Sequence, residues 1–153
     1  MQHAKQANFS IFDAQDWKIG IVVAQFNRHI TEKQYQSALE MAEKYHIPPE
    51  NITTIRVAGA IEIPLALQKL AKSGQYQALL ALGCIIQGET PHFDYVAKYV
   101  TEGILRVQLD HSTSIGFGIL TCNNEQQAID RTQLAGEHLE AALQQAKALN
   151  TLA

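Results

Sequence analysis

The chain has 153 residues, the size of one domain with a single core. Apolar residues make up 46% and charged residues 18%, a globular composition rather than a disordered or fibrous one. Twelve Lys+Arg against fifteen Asp+Glu leave a net charge of -3, with no basic surplus to draw the chain to nucleic acid or anionic lipid, so a small-molecule partner is expected.

The longest apolar run, Ala78 to Ile86, is nine residues, about half of the ~20 that a membrane-spanning helix needs. The N-terminus lacks the basic start and apolar stretch of a secretory signal, which predicts a cytoplasmic protein with Cys84 and Cys122 as free thiols. No repeat or linker divides the chain, so residues 1–153 read as one domain, with residues 1–16 an extended N-terminal arm.

In chain order, Ile19 to Ala24 is a nearly unbroken Val/Ile-rich run that suits a strand covered on both faces. From Thr31 to Tyr45, Tyr35, Ala38, Leu39 and Ala42 recur at helical spacing, with Thr31 as the expected N-cap. A β-branched strand, Ile52 to Val57, leads through a Gly59-Ala60 turn to a helix from Pro64 to Lys72 closed by Gly74. A strand at Ala78 to Cys84 and a turn at Gly88-Glu89-Thr90 follow. Thr90 is then the expected cap, and Pro91 the first residue, of a helix running to Leu109. The fourth strand spans Ile115 to Thr121. The last helical stretch, Glu125 to Leu149, contains Gly136, which predicts a kink or a break there.

This βαβαβαβα order predicts an α/β fold: a four-stranded parallel sheet between helical layers, joined by right-handed crossovers, in a flavodoxin-like three-layer αβα arrangement. Ligands of such sheets bind beyond the carboxyl ends of the strands, which draws attention to four loops. The first carries Phe26, either a partly buried loop aromatic or a stacking platform for a planar heterocycle. The second carries Glu62, which either complements a helix dipole or meets ligand hydroxyls. The third, Gly83 to Thr90, has the glycine spacing of a P-loop, but Glu89 stands where the phosphate-binding Lys must be, so nucleotide binding by that route is rejected. A glycine turn entering a helix N-terminus can still hold a single phosphate.

His92 is expected two or three residues into that helix, where the positive end of the dipole favours neutral imidazole, a group able to accept and return a proton. The other five histidines show no metal-ligand pairing, so no metal site is expected. Cys84 and Cys122 end apolar strands with no His beside them, which reads as buried inert thiols. Arg131, placed on one face of the last helix, is either a solvated surface group or a bidentate partner for phosphate.

Four segments taken together resemble the 6,7-dimethyl-8-ribityllumazine synthase family: Phe26-Asn27, Gly-Ala-Ile-Glu-Ile-Pro at 59 to 64, Gly-Glu-Thr-Pro-His-Phe-Asp-Tyr-Val at 88 to 96, and Asn-Asn-Glu-Gln-Gln-Ala-Ile-Asp-Arg at 123 to 131. The resemblance spans nearly the whole chain and implies condensation of 5-amino-6-(D-ribitylamino)uracil with 3,4-dihydroxy-2-butanone 4-phosphate, the penultimate step of riboflavin biosynthesis, with neither metal nor organic cofactor. It further implies that Phe26 and Asn27 meet the pyrimidine, and that Ala60, Ile61 and Glu62 hold the ribityl chain. Cys84, Ile85 and Ile86 would line the pyrimidine pocket. Glu89, Thr90 and Arg131 would bind the phosphate, and His92 would shuttle protons. Phe117 and Arg131 would serve a neighbouring subunit's pocket in a homo-oligomer built from pentamers, and association with riboflavin synthase is a further expectation of the same kind. Where the family commonly carries a Lys this chain has His138, and its Gly-rich segment is altered to Ala-Gly-Glu-His-Leu at 135 to 139. Two rivals share the fold: a non-catalytic flavin or lumazine binder, which would need no His92, and an archaeal-type riboflavin synthase, whose substrate has no phosphate to meet Glu89, Thr90 and Arg131.

Overall fold

A computed structural model describes residues 7–152. The four apolar runs form one parallel sheet, β1 (Ile19–Ala24), β2 (Ile52–Val57), β3 (Ala78–Ile86) and β4 (Ser114–Cys122), in the order β2-β1-β3-β4. Both faces are covered, which explains why β1 and β3 are apolar at nearly every position. Ile19, Ile21, Val23, Leu80 and Leu82 face a core completed by α1 (Arg28–Lys44) and α5 (Leu134–Leu149). Val22, Ala24, Leu79 and Ala81 face a second core completed by α2 (Ile63–Ser73) and α3 (His92–His111). The flavodoxin-like three-layer architecture expected from the alternation is the one observed.

Several element ends differ from expectation. α1 starts at Arg28, and its N-cap is Asn27, held in the left-handed region (φ 60°). Thr31 is instead fully buried, its hydroxyl donating to Arg28 O at 3.4 Å. Asn tolerates that backbone better than most residues, so the chain turns into the helix one turn early. A 3-10 turn, Ala60–Glu62, precedes α2, and Gly74 closes α2 in the left-handed conformation, as expected. α3 begins one residue later than expected, with Pro91 as N-cap and the Thr90 hydroxyl accepting from His92 N at 3.4 Å.

The largest correction concerns the C-terminal stretch, which divides at residues 130–133 into α4 (Glu125–Ile129) and α5 rather than at Gly136. Asn124 caps α4 by accepting from Gln127 N at 2.9 Å while the Gln127 side chain accepts from Asn123 N at 2.8 Å, a reciprocal arrangement close to a capping box. Gly136 lies inside α5 where α1 packs closely against it. A Cβ there would sit 3.0 Å from Ser37 O and 3.1 Å from Ser37 Oγ.

Residues 1–6 of the expected arm lie outside the described residues. Further along, Phe12 packs edge-on against Tyr45 and tilted against Trp17, and Ala14 is fully buried, its N–H donating to Tyr45 O at 2.8 Å. Tyr45 is itself buried and donates to Glu140 Oε2, and burial with that carboxylate pushes the phenol up to about 12.

Candidate active site

The strand order reverses between β1 and β3, and the loops leaving their carboxyl ends enclose a cavity of about 510 Å³. After β1, Gln25 N and Phe26 N donate to Val57 O and Ala58 O at 2.8 and 2.9 Å, prolonging the β1–β2 ladder. This holds Phe26 at the cavity rim with 74% of its surface exposed. The Asn27 amide donates to Cys84 O at 3.0 Å, tying this loop to β3. Beyond β2, Glu62 N donates to Gly59 O at 3.1 Å. The Glu62 carboxylate folds back over Gly59, whose Cβ position is 3.6 Å from Glu62 Oε2 and 3.8 Å from the Phe26 Cβ. An acceptor for hydroxyl groups thus stands beside an exposed ring.

β3 supplies Cys84, Ile85 and Ile86, and the third loop brings Gly88, Thr90 and His92 to the same cavity. His92 is the first residue of α3, not two or three residues in. The following turn adds Phe93 and Val96. These two were missed in the sequence; their one- and four-residue spacing from His92, on a helix whose entry was already read as ligand-facing, was the available signal. Burial pushes the Cys84 thiol up to about 12 and raises Cys122 as well. Neither thiol is a nucleophile near neutrality.

Glu89, Phe117 and Arg131 do not line this cavity. Glu89 is exposed between two residues that do. Phe117 projects from β4 at the open edge of the sheet, 39% exposed. Arg131 lies in the turn between α4 and α5, not on a helix face, and donates from Nη1 to Gln127 O at 2.8 Å. It is near enough to Cys122 to oppose the rise of that thiol. His138 packs over Gly118 with its Nδ1 buried and lacking a hydrogen-bond partner, and burial lowers its pKa. Among the described residues no group of three or more His, Cys, Asp or Glu side chains is placed to hold a metal, and no helix is long and apolar enough to cross a membrane.

A parallel α/β sheet whose switch-point cavity combines an exposed aromatic, a carboxylate, a helix-entry turn and an imidazole defines a small-molecule site of the flavodoxin-like class. The sequence model of 6,7-dimethyl-8-ribityllumazine synthase matches residues 16–150, and the chain belongs to that family. It is 44% identical over 132 residues to the 6,7-dimethyl-8-ribityllumazine synthase of Desulfovibrio desulfuricans, covering 85% of each chain. It is 40% identical over 133 residues to the enzyme of the same name from Nitratidesulfovibrio vulgaris, covering 86% of this chain and 85% of that one.

Proposed function

We propose that this chain is the transferase that condenses 5-amino-6-(D-ribitylamino)uracil with 3,4-dihydroxy-2-butanone 4-phosphate to 6,7-dimethyl-8-ribityllumazine, releasing phosphate and water. The observation that carries this reading is the convergence of Phe26, Glu62, Thr90 and His92 on one cavity in a chain of this family. Phe26 stacks on the pyrimidine ring, Ala60 to Glu62 hold the ribityl hydroxyls, and the Cys84 to Ile86 backbone faces the pyrimidine edge. The phosphate sits at the entry to α3 against the N–H groups of Glu89 and Thr90. His92 passes protons as the imine forms, phosphate leaves and the ring closes. Holding both substrates side by side supplies much of the remaining acceleration.

Phe117 and Arg131 complete the cavity of an adjoining subunit in a homo-oligomer built from pentamers. Their position away from their own cavity supports this, as do the exposed apolar side chains Leu65, Tyr95, Tyr99 and Leu109 on α2 and α3. The two free cysteines suit a reducing, cytoplasmic setting.

Mixing purified protein with both substrates tests the assignment. Lumazine absorbance and phosphate release are expected to rise together in equal amounts; pyrimidine binding without either product would replace the enzyme with a binding protein. Arg131→Ala is expected to raise the KM for the butanone phosphate roughly tenfold or more, as the loss of a charge-assisted bond to phosphate predicts. The KM for the pyrimidine should stay put, and a selective loss on the pyrimidine side would remove Arg131 from the phosphate site.

A further inference from the structure

The buried residues of α1 include a polar stripe, Thr31, Gln34 and Ser37, at three-residue spacing on one helix face. Within this stripe the Gln34 Nε2 and the Ser37 hydroxyl have partners on other elements, while Gln34 Oε1 is buried without one. Gln34, fully buried, donates from Nε2 to Gly118 O at 2.9 Å, joining α1 to the strand that carries Phe117. Ser37 reaches the start of α5. Its hydroxyl donates to Gln133 O at 2.9 Å and accepts from Gly136 N at 3.0 Å.

That second contact does the work of a missing cap. The N-cap residue of α5, Gln133, is in helical conformation and makes no side-chain cap bond. A helix leaves its first N–H groups without intrahelical partners, and here the N–H of the third helical residue finds its acceptor on another helix. Gly136 permits this, because any Cβ would press on Ser37 at 3.0 to 3.1 Å. The turn at 130–133 is therefore fastened at its far end by Ser37 and at its near end by Arg131 itself, through Gln127 O.

We propose that Ser37 is a positioning residue for the reaction: by capping α5 from α1 it sets the turn that aims Arg131 at the phosphate of the butanone substrate. This rests on the reading of Arg131 as a phosphate ligand given above. A cap lost from a buried seam lets the first turn of α5 shift, and the guanidinium two residues before Gln133 shifts with it.

The test is a kinetic cycle on the assembled full-length protein with Ser37→Ala, Arg131→Ala and the double variant. Ser37→Ala is expected to raise the KM for the butanone phosphate roughly fivefold, the size of one lost cap, with kcat and the pyrimidine KM within about twofold of wild type. In the Arg131→Ala background the same change should add nothing, because the two residues act as one unit. A Ser37→Ala effect spread over both substrates, or one that adds in full to Arg131→Ala, makes Ser37 merely structural and overturns the proposal. If Arg131→Ala raises the phosphate KM and Ser37→Ala does not, the proposal falls alone; if neither does, the Arg131 reading falls first and takes the proposal with it. Should Ser37→Ala fail to fold, Ser37→Cys keeps the volume with a weak donor: an intermediate rise supports the proposal, and a wild-type KM overturns it.

Discussion

Replacing His92 with alanine is expected to lower kcat by about a hundredfold or more, in the range that a positioned general acid–base contributes, while pyrimidine affinity stays within about twofold. The reaction forms an imine, expels phosphate and closes a ring, and each step moves a proton to or from a group that cannot exchange it quickly unaided. His92 is the one imidazole among the residues lining the cavity, at the first position of α3 beside Thr90 and one turn from Val96. It is exposed and outside both main cores, so truncation should change stability by no more than about 0.5 kcal/mol. His92→Gln separates the two roles an imidazole can play: it keeps a hydrogen-bonding side chain of similar reach but cannot carry a proton, and should be as slow as alanine. Stopped-flow single turnovers, with pyrimidine binding measured in parallel, read both quantities. Undiminished single-turnover rates would end the shuttle assignment, and a loss confined to pyrimidine binding would make His92 a ligand instead.

Gly116→Ala should cost about 3 kcal/mol, the upper part of the range for overpacking. A Cβ at Gly116 would lie 2.6 Å from His138 O and 2.8 Å from Leu80 Cδ1. The first of these is helix backbone, which cannot swing aside as a side-chain tip can. α5 is also fixed where it is: Ser114 donates to Ala142 O at 2.8 Å, and Ser37 holds the helix start. Relief therefore requires α5 to lift off β4 and α1 together. For a chain of this size a loss of that magnitude lowers Tm by roughly 6 to 12 °C, measured at one fixed protein concentration. Gly88 is the control, since a Cβ there meets nothing within 4 Å and its φ is not left-handed; Gly88→Ala should leave Tm unchanged. Equal melting of Gly116→Ala and wild type would mean that α5 can ride over the added methyl.

The line-up of strands and helices was legible because each element carries its own pattern. β1 and β3 are apolar throughout since both faces are buried, and α2 ends where Gly74 accepts a backbone that other residues resist. The cavity was legible for a related reason: in a parallel sheet all strand ends that bind ligand point the same way, so Phe26, Glu62 and His92 could be assigned to one rim before their separation was known.

What escaped is equally specific. Thr31 looked like a cap because Thr before Glu is a common helix start, whereas Asn27 had already turned the chain. Gly136 looked like a break because glycine weakens helices, whereas it marks where α1 crosses α5. Arg131 looked like a helix-face residue because nothing within a few positions announces the turn at 130–133, whose far end is held by a serine 99 residues from Gly136.

By itself, then, the sequence determined the order of elements, their burial on two faces and the end of the sheet at which the cavity opens, since each follows from local conformational preference, the repeat of apolar residues and the common direction of parallel strands. The tertiary structure alone decided which helix caps which, why two glycines in β4 admit no side chain and one in α5 leaves little room for one, and where Phe117 and Arg131 stand relative to the cavity. Those depend on close approach between segments far apart in the chain, which no local pattern encodes.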